Sequence, residues 1–123
     1  MFEYALVAGL TASGADAYLL HVTTTPSVSY IVRTDGFDCG IMILHHITLI
    51  TDNGIKLIND KGQKFDAEVE KQIEMYIDGL TDELPYATKD EIGRALDYSM
   101  GRNRYIGYLM SIPKRALEMF VLV

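Results

Sequence analysis

A single cysteine, Cys39, leaves this chain no intramolecular disulfide and suits a reducing compartment. Also lacking are a charged-then-apolar leader and any run near the roughly 18 apolar residues that span a bilayer, so a cytoplasmic location is expected. Basic residues are outnumbered: 11 Lys and Arg against 17 Asp and Glu give a net charge of −6. That balance argues against a nucleic-acid footprint and leaves any phosphate to be held by local donors. Internal repeats and low-complexity tracts are missing too. What remains suits a folded domain: 49% hydrophobic and 23% charged residues over 123 positions, enough for one modest core. Cys39 opens an apolar run and is expected to be a buried small hydrophobe rather than a reactive thiol.

Residues 2–12 are rich in helix formers, and Ser13-Gly14 supplies a stop. Residues 17–22 (AYLLHV) predict a buried strand, apolar on both faces. A threonine before Pro26 predicts a capped helix running to about Thr34 and closing at Asp35-Gly36. Strands are expected over 41–44 and 55–58, the second antiparallel to the first because the loop before it is short, and then the turn Asn59-Asp60-Lys61-Gly62. Beyond residue 66, Ala67, Val69, Ile73, Met75, Tyr76, Ile77 and Leu80 lie mainly on one helical face, with Asp66, Glu68, Glu70 and Glu74 expected as a solvated acidic face. Thr88 and Glu91 form a capping-box pattern for a helix over about 89–117, interrupted at Gly101 and Pro113. Alternating helices and strands predict an α/β fold: a partial three-layer α/β/α domain with a mixed, mainly parallel sheet and a C-terminal helical extension. The opening helix has no strand before it, and residues 119–123 (MFVLV) resemble a strand without a partner, so the chain is expected to be a fragment with self-association through exposed apolar edges.

The most telling stretch is residues 40–56, GIMILHHITLITDNGIK. An apolar strand leads through eight unusual residues to the polar turn Asp52-Asn53-Gly54 before Ile55-Lys56. This layout resembles the active-site segment of the α-D-phosphohexomutases, especially bacterial members acting on hexosamine phosphates. In that family a strand delivers a Ser-His-Asn-Pro loop whose serine carries the phosphoryl group, and an Asn-Gly-Ile/Phe-Lys turn follows. The resemblance extends to residues 8–31, AGLTASGADAYLLHVTTTPSVSYI, and to residues 86–109, YATKDEIGRALDYSMGRNRYIGYL. It implies most of the family's first domain over residues 1–80, with linker helices and the start of a truncated second domain over 81–123. It also implies isomerisation of a hexosamine phosphate between its 6- and 1-positions with Mg2+, a phosphosugar substrate, and no nucleic-acid or membrane partner. The family's metal loop, sugar-selecting loop and phosphate-binding domain have no counterpart here, so no metal or substrate-binding residues are assigned.

By this resemblance His46 stands at the phosphoserine position, followed by Ile47, Thr48 and Leu49 where the family has His-Asn-Pro. Histidine can carry phosphate on nitrogen, but the neighbours that shape the loop have changed too. Lys56 occupies the place of the family lysine that offsets phosphate charge and assists proton transfer; the plain alternative is a solvated strand lysine. His45, His46 and Asp52 are metal-ligating types, yet adjacent residues on an extended segment point to opposite faces and share one ion poorly. His21 ends an apolar strand and is expected to be structural, while Ser27 and Ser29 lack an evident base and are expected on a helix surface. The chain alone is therefore expected to be inactive. The rival reading is a non-catalytic binding module on the same scaffold, which would be a monodisperse, cooperatively unfolding monomer.

Residues 44–51 keep the family spacing while losing its chemistry between intact flanks. One codon set allowed by this block, CTT CAT CAC ATA ACC CTT ATT ACG, reads from its third base as Ser-Ser-His-Asn-Pro-Tyr-Tyr, with the serine at position 46. A compensated double frameshift accounts for the block, and similar events account for Met1 as an internal methionine and for the tail from Pro113. Sequencing the coding DNA with its flanks should show codons compatible with the shifted reading; incompatible codons would remove this account.

Overall fold

The computed structural model describes residues 2–45 and 53–116. Helix α1 (Phe2–Ala12) stops at Ser13-Gly14 and leads into the short strand β1 (Ala17–Leu19). Local chemistry frames α2 (Thr25–Asp35). The Thr24 hydroxyl accepts the Ser27 N–H, and Pro26 sits in the first turn, where its missing N–H leaves no helical bond unmade. Gly36 then closes the helix at φ 73°, a left-handed conformation that costs glycine little.

Strands β2 (Cys39–His45) and β3 (Asn53–Asn59) pair antiparallel, from Cys39 opposite Asn59 to His45 opposite Asn53, as expected. Helix α3 (Ala67–Ile77), a 3-10 turn (Lys89–Glu91), strand β4 (Ala95–Asp97) and helix α4 (Ser99–Ala116) follow. Strand β4 pairs parallel with β1, Ala17 opposite Ala95 and Leu19 opposite Asp97. The result is a partial α/β/α domain with mixed sheet pairing and a C-terminal helical extension. The described strands divide into one parallel and one antiparallel pair.

Four expectations need correction. The helix expected over about 89–117 with interruptions at Gly101 and Pro113 is replaced by the 3-10 turn, β4 and α4, and α4 runs through both of those residues. Tertiary contacts override the capping pattern: Thr88 makes no side-chain cap bond, and Lys89 turns left-handed at φ 54°. Gly93 donates its N–H to Thr11 and lies so close to Ala15 that a Cβ would fall 2.0 Å from its carbonyl oxygen. Second, β1 ends at Leu19 rather than Val22, because His21 turns the chain at φ 58°. Third, Ser27 is fully buried without a hydrogen-bond partner, and half-buried Ser29 donates to the Gly62 carbonyl, so neither lies on an open helix surface. Fourth, Cys39 is exposed, since it enters β2 on an edge without a strand beside it among the described residues.

The core is small. Val28 and Val32 of α2 pack on Ile58 of β3, with Leu20, Phe37 and Met42 around them; each fully buried aliphatic chain contributes about 1.5–3 kcal/mol. Tyr18, Phe37 and Tyr98 form an aromatic cluster with centroids 4.9–5.5 Å apart, mostly edge to face, which joins β1 to the start of α4. Asp35, nearly buried at the C-terminal end of α2, accepts from the Tyr98 hydroxyl at 2.8 Å and from Arg104 at 2.5 Å. A carboxylate there opposes the helix dipole, and the Arg104 guanidinium offsets it. Helices α1 and α3 bury none of their residues.

Two glycine substitutions should separate tight from open packing. At Gly40 a Cβ would meet Val32 at 2.7 Å and Val28 at 2.8 Å, so Gly40→Ala should cost about 1–3 kcal/mol in urea unfolding. At Gly9, within α1, a Cβ meets nothing within 4 Å, and Gly9→Ala should stabilise by about 0.5–1 kcal/mol.

Candidate functional site

Residues 46–52 join β2 to β3 and lie outside the described residues, and with them His46, Asp52 and the serine-loop positions. The register closes the base of that loop at His45 opposite Asn53 and places Lys56 opposite Met42, three residues along β3. Side chains alternate along a strand, so Lys56 rises from the same face of the hairpin as Ile58, the face that α2 covers. Lys56 is exposed and has no ion-pair partner among the described residues. The hairpin thus carries an exposed cation near the loop base.

A second cluster closes the ends of the β1–β4 pair. At its start, Asp16 accepts the Arg94 backbone N–H at 2.7 Å and pairs with its guanidinium at 3.3 Å. The backbone N–H of Arg94, then its side chain, hold the Asp16 carboxyl below its ordinary value. At its end, the His21 ring lies 3.0 Å from Asp97, which also accepts the Ser99 backbone N–H at 2.9 Å. The Ser99 N–H, then His21, hold Asp97 at about 2. The expectation that His21 is structural gains a partner, Asp97, that was missed because β4 lay concealed in a helix-prone segment. Its signal in the sequence is only the three-residue alternation Ala95-Leu96-Asp97.

The third feature is an open cleft of about 1580 Å3 between α1, β1, α2 and β2. Cys39 lines it, and partial burial followed by the nearby Asp38 carboxylate raises its thiol pKa, the opposite of an activated nucleophile. Among the described residues no group of three His, Cys, Asp or Glu side chains could hold a metal ion. Among the same residues, no helix is long and apolar enough to cross a membrane.

Asp97 titrates at about 2 against an ordinary 3.8, so its stabilising effect is complete above about pH 4 and is lost as pH falls through about 2. Urea midpoints should drop across that window, and Asp97→Asn should make the drop shallower. An unchanged slope in the variant would show that the carboxylate carries no folding linkage.

The family profile described as "Phosphoglucomutase/phosphomannomutase, alpha/beta/alpha domain I" matches residues 1–83. Over 118 residues the chain is 63% identical to a phosphoglucosamine mutase of Lachnoclostridium phytofermentans, covering 96% of this chain and 26% of that protein. Over 112 residues it is 64% identical to a phosphoglucosamine mutase of Lachnospira eligens, covering 91% of this chain and 25% of that protein. A phosphoglucosamine mutase of Levilactobacillus brevis is 43% identical over 109 residues. The chain spans about a quarter of the length of these relatives.

Proposed function

Because the chain belongs to the phosphoglucomutase/phosphomannomutase family, residues 1–83 falling in its α/β/α domain I, we propose that its fold derives from a phosphoglucosamine mutase. Such an enzyme is an intramolecular phosphotransferase, interconverting glucosamine 6-phosphate and glucosamine 1-phosphate for amino-sugar and cell-wall precursor synthesis. The observation carrying this reading is identity of 63–64% over more than nine-tenths of the chain. In this chemistry an enzyme serine gives its phosphoryl group to one sugar hydroxyl and recovers one from the other position, so no phosphate is lost overall.

The chain alone is inactive on this proposal. His46 stands where the nucleophilic oxygen belongs, and Lys56 can neutralise phosphate charge but cannot accept a phosphoryl group in the serine's place. The division near residue 80 is supported by the end of the profile match at 83; the segment beyond folds back on β1 and α2. The net charge of −6 supports a phosphosugar rather than a nucleic acid as the relevant partner, and a cytoplasmic setting accords with the exposed free thiol of Cys39. Exposed apolar side chains, among them Ile77, Leu80 and Met110, support self-association.

Incubating the purified chain with glucosamine 6-phosphate and Mg2+ should yield no glucosamine 1-phosphate above a protein-free blank, with Lys56→Ala no different. Turnover that Lys56→Ala abolishes would overturn the inactivity and place the lysine in a working site.

A further inference from the structure

We propose that residues 87–116 form a hinged strap, which opens as one unit while the seam between α2 and the β2–β3 hairpin stays closed. The hinge is the segment 78–86, whose residues are all exposed. Between the Leu80 N–H, which returns to Met75, and the Ala87 N–H, which donates to Ala12, its backbone makes no hydrogen bond to the described residues. Gly79, at φ 69° just past the end of α3, starts the segment in a conformation that costs glycine little.

The two parts are held by different forces. In the seam, Val28, Ile31, Val32 and Ile58 are buried, and β2 pairs with β3 from Cys39 to His45. In the strap, Gly101 is the sole buried residue between 87 and 112, and glycine has no side chain whose exposure would cost hydrophobic energy. Strand β4 pairs with β1 only from Ala95 to Asp97. A segment with little buried apolar surface and few protected backbone bonds is the first to open.

What ties the strap down is polar and aromatic. Asp16 with Arg94 and His21 with Asp97 are exposed pairs, each worth little against water. Asp35 is the latch: its nearly buried carboxylate accepts from both Tyr98 and Arg104, and removing its charge leaves the guanidinium without a counter-ion. Further along α4, Tyr108 stacks on Tyr30 at 4.7 Å. Only Tyr98 separates β4 from α4, so no second hinge divides the strap and these contacts part together. Opening uncovers the edge of β1 that β4 covers, and the side of α2 that carries Tyr30 and Asp35.

Hydrogen exchange of the full chain near pH 7 tests the strap. The amides of Ala17 and Tyr98 bond to Arg94 and Leu19 across the β1–β4 pair. They should exchange at one rate with the first turns of α4, at least tenfold faster than the amides of β3 around Ile58. Asp35→Asn should speed the strap at least threefold and leave β3 unchanged. A disulfide between the register partners of an Ala17→Cys, Ala95→Cys pair, made in a Cys39→Ser background, should slow it at least tenfold. Strap and hairpin amides exchanging at a common rate in the unaltered chain would overturn the proposal. So would a disulfide that leaves the Tyr98 amide as fast as before, or an Asp35→Asn variant that loosens strap and hairpin equally.

Discussion

The approach of α2 to the β2–β3 hairpin at Gly40 is the contact on which the rest of the molecule depends. Val28 and Val32 reach the strand because position 40 has no side chain, and Ile58 closes the seam from β3. This seam sets the height of the helix over the sheet. It therefore fixes the hairpin that carries Lys56, the cleft wall facing α1, and the position of Asp35 at the helix end. Close packing makes such a seam intolerant of one added methyl group. Helices α1 and α3, by contrast, have no fully buried residue.

Asp35 carries that order onward. Its carboxylate collects the Tyr98 hydroxyl and the Arg104 guanidinium, binding the end of α2 to the start of α4. Tyr98 in turn meets Tyr18 of β1 and Phe37. Desolvation, then the hydrogen bond to Asp35, raises the Tyr98 pKa, so its phenol remains a neutral donor. Asp16 with Arg94 and His21 with Asp97 pin both ends of the β1–β4 pair. These exposed ion pairs add little stability singly, but they fix the register of two very short strands.

The functional reading rests on ancestry more than on assembled chemistry. The hairpin keeps its register to the loop base and presents Lys56 on the α2 face. A lone cation near a loop stabilises charge but supplies no nucleophile. The cleft between α1, β1, α2 and β2 stays open, and among the described residues β1 and β2 are each paired on one side.

Wherever one residue decides its own surroundings, local chemistry sufficed. Thr24, Pro26 and Gly36 frame α2 by capping and dihedral preference, and the short link between residues 45 and 53 requires an antiparallel hairpin. Residues 40–56 likewise announce the family, because the turn before Lys56 is a contiguous pattern. Strand β4 could not be seen this way: its three residues acquire meaning only beside β1, whose Ala17 lies far away in sequence. The burial of Ser27, the exposure of Cys39 and the pairing of His21 with Asp97 were equally hidden. Each depends on what another segment brings alongside, and neither helical period nor strand alternation encodes that neighbour.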